Sequence, residues 1–241
     1  MIVQLFPTCL VNEFHPAAGL SVARVLERLG CTVALPEGLT CCGQPAFNAG
    51  FHDEARQVAR HTLRVLARTD GPIVIPSGSC ADMLIHQYVE LFKDDPSASA
   101  DARAVAARCR EFSQFVAGRG GIKAAMKNPA RVAYHPSCHL MRGLGVRREP
   151  LAIISAIAGV ASVSFDEQEE CCGFGGLFSI KNAEISASMM DRKLAAIEAS
   201  GADRLVSCDL GCLLHLEGGL RRRGAAIKVQ HLAELVDEAL A

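Results

Sequence analysis

The feature that most constrains this chain is that it says nearly the same thing twice. "FPTC", ending at Cys9, matches "HPSC", ending 129 residues later at Cys138. A Cys-Cys-Gly stands at 41–43 and again at 171–173, and "IVIPSGSC" (73–80) lies without a gap over "LVSCDLGC" (205–212). "ERLGCTVALPE" (27–37) and "SAIAGVASVSFDE" (155–167) match around Gly30 and Gly159. A repeat of this length predicts two copies of one domain, expected at 1–127 and 128–241 and related by a pseudo-twofold. At 241 residues the chain is long enough for two modest cores.

Each copy reads as alternating strand and helix. Ile2–Phe6 and Arg131–Tyr134 are short β-rich runs that end in a proline turn and a cysteine. Leu20, Val22, Val25, Leu26 and Leu29 then recur at helical spacing up to Gly30. A second strand, Thr32–Leu35 or Ala161–Phe165, leads to the Cys-Cys-Gly. A longer helix, about His52–Arg68 or Ala183–Ser200, precedes a third strand, Ile73–Ile75 or Arg204–Ser207. The order predicts an α/β fold of two repeated domains, each a small parallel sheet covered by helices.

That architecture assigns the cysteines a place. Functional groups of open α/β sheets gather beyond the carboxyl ends of the strands. Cys9, Cys41, Cys42 and Cys80 all follow such ends, as do Cys138, Cys171, Cys172 and Cys212. Four thiols distant in sequence are expected to meet at one rim in each copy. The chain has eleven cysteines, an odd number, and "MIVQLFPTCL" does not read as an export signal, so the expectation is metal or redox chemistry ahead of a disulfide scaffold. Net charge is −1, without the basic footprint that nucleic acid requires. The longest apolar run, Leu151–Val163, is broken by Ser155 and Gly159 and falls short of the roughly 18 residues of a membrane span. The expectation is a soluble, cytoplasmic protein.

The doublets bear on which metal. Zinc sites usually take thiolates from C-x₂₋₄-C knuckles, whereas adjacent cysteines point apart and suit a single ion poorly. A multinuclear iron–sulfur cluster lets neighbouring thiolates serve different irons. The glycines of "GFGG" (173–176) would let backbone amides approach the sulfurs. Zinc in an assembly or interaction protein uses the same eight thiols and stands as the alternative. A thiol–disulfide enzyme is disfavoured by the absence of C-x-x-C.

The pattern Cys-x₃₁-Cys-Cys-Gly-x₃₆-Cys, repeated as Cys-x₃₂-Cys-Cys-Gly-x₃₈-Cys, resembles the cysteine-rich CCG domains of heterodisulfide reductases and of glycolate oxidase iron–sulfur proteins. "CCGQPAFN", "YHPSCHL", "CCGFGGLFS" and "HLAE" resemble the lactate-utilisation protein A family more closely still. The resemblance implies a protein that helps oxidise L-lactate to pyruvate with partner proteins, among them an iron–sulfur ferredoxin-like protein. It also implies [4Fe–4S] chemistry, one or two clusters per chain, non-cubane in the heterodisulfide reductase relative. That relative closes its motif with C-x-x-C, where this chain has Ser77 and Asp209. Each site therefore lacks one thiolate of that pattern, and Cys208 offers a substitute in the second copy only. Of the remaining candidates, Cys31 reads as a small buried hydrophobe and Cys109 as a structural residue on a helix outside both repeats. His135 and His139 flank Cys138 closely enough to donate hydrogen bonds or carry protons, or else simply pack. His231 reads as packing or capping the last helix.

Overall fold

The computed structural model describes residues 1–241. β1 (Ile2–Leu5), β2 (Thr32–Ala34), β3 (Ile73–Ile75) and β4 (Cys109–Glu111) form one parallel sheet in the order β2-β1-β3-β4. β5 (Ala124–His135), β6 (Ile157–Val163), β7 (Arg204–Ser207) and β8 (Lys228–His231) form a second parallel sheet in the corresponding order β6-β5-β7-β8. Two copies of one α/β domain therefore follow one another along the chain. The expected join after residue 127 falls inside β5, in its irregular first stretch between Ala125 and Ala130.

Local sequence explains the elements that matter. The helix Pro16–Arg28 starts on a proline, whose missing N–H costs nothing in a first turn, and buries Ala18, Val22, Val25 and Leu26 on one face. Leu20, which shares the apolar spacing, lands on the other face and is 59% exposed. In the second copy the apolar run at 151–163 divides into a helix, Arg148–Ser155, and the strand β6. β6 thus begins four residues before the expected Ala161, because β5 extends backward and pairs Ala124 with Ile157.

The fourth strand of each sheet is absent from the sequence reading. Cys109 opens β4 and pairs with Ile73, so it lies within the repeat and not on a helix outside it. Three residues are too few to show alternation, and "AVAARC" continues the helical pattern of Ser99–Arg108 up to the strand. Both fourth strands end on a buried residue that caps the next helix. Glu111 accepts the Ser113 N–H at 2.7 Å, and His231 Nδ1 accepts the Ala233 N–H at 3.1 Å. Each closes a reciprocal box, with Gln114 and Glu234 respectively.

The sheets meet through a common core. A cluster of 26 buried residues draws Val3, Leu5, Val22 and Leu26 from the first half and Val132, Tyr134, Ile154 and Val236 from the second. The helix Pro16–Arg28 packs on Leu232–Leu240, where Ser21 Oγ and Arg24 Nε both donate to Asp237, at 2.9 and 2.8 Å. The opposite face of each sheet is covered chiefly by its own helices, in clusters of 19 and 15 residues.

Glu111 lies in this shared region, fully buried, with Oε1 unpartnered. Burial pushes its carboxyl up to about 7, against the pull of hydrogen bonds from Ser113. The folded chain therefore favours the neutral acid. The stability this contributes is whole below the ordinary value of 4.5 and is lost as pH rises through about 7. Glu111→Gln, which keeps the capping oxygen without the charge, is expected to be more stable than the parent at about pH 8, by on the order of 3 kcal/mol at most, and to melt higher there. The advantage should vanish near pH 4.5. Equal differences in melting temperature at both pH values would refute this.

Candidate metal centres

The cysteines follow the strand ends in the same way in both halves. Cys9 opens the short helix after β1, and Cys138 precedes the helical turn His139–Gly143 after β5. Cys41 and Cys42 lie in the loop after β2, and Cys171 and Cys172 in the loop after β6. Cys80 and Cys212 sit in the first turns of the helices that follow β3 and β7. All eight line one cavity of about 170 Å³ between the two halves. None is in a disulfide.

Each quartet has an outer and an inner tier. Cys9 and Cys41 are half-buried with sulfurs 3.6 Å apart, while Cys42 and Cys80 are buried with sulfurs 3.3 Å apart. In the second half Cys138 and Cys171 are half-buried, and Cys172 and Cys212 are buried. Gly43 and Gly173, at φ of 85° and 91°, turn the chain so that their N–H groups point at Cys41 and Cys171, both at 3.4 Å. The Phe174 N–H adds a donor to Cys172 at 3.5 Å. A side chain at 173 is excluded, because a Cβ there would lie 2.6 Å from the Ser186 carbonyl oxygen.

These contacts sort the thiols electrostatically. Hydrogen bonds from Cys42 and Cys9 hold Cys41 far below the usual thiol range. Hydrogen bonds from Cys138 and Cys172 do the same to Cys171. Cys9 and Cys138, the donors of the outer tier, are pushed up in turn. At each rim the shared protons thus favour one outer sulfur, Cys41 or Cys171, as the thiolate. Thiolates are the ligating form, so the donor set and its amide support fit an iron–sulfur or other thiophilic metal centre.

Ser77 and Asp209 have a different task from the cysteines they replace. They are repeat-mates, and they bind each other across the join. Ser77 Oγ donates to Asp209 Oδ2 at 3.2 Å, which also accepts the Ser79 N–H at 2.9 Å. Each also caps its own helix, Ser77 through the Cys80 N–H and Asp209 through the Gly211 N–H. Cys208 faces away from the cavity, buried in the shared core with its sulfur 3.8 Å from the Tyr134 hydroxyl. Its carbonyl accepts the Gly78 N–H at 3.2 Å, another bond between the halves.

The histidines differ in role. His139 Nδ1 pairs with Asp82 of the first half at 2.8 Å, which raises its pKa. Asp82 also holds His86 at 2.8 Å, and these two histidines lower its pKa against burial, the largest influence on it. His135 is fully buried, and neither ring nitrogen has a hydrogen-bond partner. Its ligating atom, Cys172 Sγ and Cys212 Sγ lie within 4.8 Å of one another. The sequence reading missed Lys193, which is buried on its helix between Met190 and Leu194. Its Nζ donates to the Glu167 and Gln168 carbonyls at 2.5 and 3.2 Å and lies 5.5 Å from the Phe165 ring. A charged residue in a buried stripe was the available signal.

A family model for the CCG cysteine-rich domain matches residues 3–85 and again 132–217. Lactate utilization protein A of Halalkalibacterium halodurans is 42% identical over 238 residues, spanning 98% of this chain and 97% of that protein. The chain belongs to the lactate utilization protein A family. The Shouchella clausii member is also 42% identical, over 240 residues and 99% of its length. Among solved structures, a hypothetical protein from Helicobacter pylori superposes with a TM-score of 0.64 at 12% identity, over all of this chain and 49% of that one. That likeness concerns the fold alone. No helix is long and apolar enough to cross a membrane.

Proposed function

We propose that this chain is a cytoplasmic iron–sulfur redox subunit that passes electrons during oxidation of a 2-hydroxyacid, L-lactate to pyruvate, together with partner proteins. The observation that carries the reading is the pair of thiol quartets opening on one cavity. The names of its relatives supply the lactate pathway. When bound, a [4Fe–4S] centre accepts and returns single electrons, and one or two such centres are expected per chain.

The chain's own residues do the holding and tuning. Cys9, Cys41, Cys42 and Cys80 are the ligands proposed at the first site, and Cys138, Cys171, Cys172 and Cys212 at the second. The Gly43, Gly173 and Phe174 N–H groups donate to sulfur and stabilise negative charge there. The half-buried outer tier lies toward solvent, where a docked carrier, such as a ferredoxin-like iron–sulfur partner, can exchange electrons. Loss of two electrons and two protons from the hydroxyacid is assigned to the assembled system, with this chain handling the electrons.

Anaerobic reconstitution tests the reading. Protein given ferrous iron and sulfide is expected to retain both and to show a paramagnetic signal that appears or vanishes on reduction. Stoichiometric zinc uptake without sulfide retention would overturn it in favour of a zinc-bound assembly protein.

A further inference from the structure

The two quartets are not chemically equal. Phe6 directly follows β1 and His135 closes β5, at the same point of the repeat, each immediately before a proline. Both side chains are fully buried. The first half shows that an apolar ring satisfies the packing at this point, so packing does not require the imidazole. Burying a polar group without a partner is costly, and His135 has two such nitrogens. Neighbouring polar groups are committed elsewhere. Lys193 Nζ serves the Glu167 and Gln168 carbonyls, and Gln168 Nε2 donates to the Tyr134 carbonyl at 3.1 Å.

What the ring does face is sulfur. Its ligating atom shares a sphere of 4.8 Å with the sulfurs of Cys172 and Cys212, the inner tier of the second quartet. The separation suits donors around one metal ion, and no His135–sulfur hydrogen bond forms.

We infer that His135 is a metal ligand of the second centre, which is thereby a mixed cysteine–histidine site, while the first centre is all-cysteine. The inference rests on the reading that these thiols hold metal, though not on iron–sulfur as the native occupant.

Cobalt(II) alone is the probe, added anaerobically to full-length protein carrying Cys41→Ser and Cys42→Ser so that only the second quartet is intact. The expected result is thiolate-to-cobalt absorption together with one strongly shifted, solvent-exchangeable imidazole proton in the NMR spectrum, assigned by ¹⁵N-histidine labelling. Adding His135→Phe, the residue that the first half uses, should remove that resonance and weaken cobalt binding at least about 10-fold. The complementary protein, with Cys171→Ser and Cys172→Ser, should bind cobalt without any imidazole resonance. Thiolate-bound cobalt lacking the resonance at the second quartet would overturn the inference, as would no cobalt uptake there. If His135→Phe does not fold, as read by circular dichroism, the resonance in the His135 protein decides alone. Retention of iron and sulfide without the resonance would leave the redox reading standing and this inference refuted. Cobalt held by His135 in a chain that never retains sulfide would do the reverse.

Discussion

Replacing Cys171 and Cys172 together by serine is expected to strip the second centre while leaving the first loaded. Serine keeps the volume of cysteine but not the soft, easily ionised sulfur that iron prefers. The doublet supplies one sulfur to each tier, so its loss breaks both the Cys138–Cys171 and the Cys172–Cys212 associations. The first quartet receives its amide support from Gly43 and has no atom in this loop among its partners. Iron and sulfide per chain should fall to the content of one centre in anaerobically reconstituted protein. The melting temperature of the metal-free protein should move little. Undiminished iron and sulfide would exclude these two residues as ligands.

Much of this site was legible in the residue order. The recurring cysteine, the doublet with its glycine and the closing cysteine each sit past a strand, and parallel topology carries strand ends to one edge. That logic is local, because each cysteine is placed by the segment just before it. What was not legible depends on contacts between the halves. Ser77 and Asp209 read as lost thiolates because nothing in their neighbourhood announces a partner 132 positions away. β4 and β8 were hidden for another reason: strands of three and four residues at a sheet edge carry too little alternation to stand out. Lys193 was obscured by its neighbours, whose spacing marks a buried stripe.

The second large effect is expected at Gly78. Its backbone passes so close to the other half that a Cβ would lie 2.6 Å from Leu140 Cβ and 3.0 Å from Leu140 Cα. No rotamer change relieves a clash with a Cβ and a backbone atom, so Gly78→Val must part the halves locally. Parting them strains the Gly78–Cys208, Ser79–Asp209 and Ser77–Asp209 bonds together. The expected cost is roughly 3 kcal/mol. For a chain of this size that is a fall of roughly 10 °C in melting temperature. Gly218→Ala is the contrast: it meets no atom within 4 Å, sits inside the helix Leu210–Arg223, and should be neutral or stabilising. If the two variants melt alike, close approach at Gly78 is not what holds the halves together.

The bond between Ser77 and Asp209 has a wider consequence. Contacts between equivalent positions are the mark of an isologous interface, the kind that joins two copies in a symmetric homodimer. In such a dimer any substitution appears in both protomers, and both sites must change together. Here the partners share one polypeptide, and each position can vary alone. Phe6 stands at the repeat position of His135, and Ser77 at that of Asp209. Covalent fusion is what permits equivalent positions at two neighbouring sites to differ in chemistry.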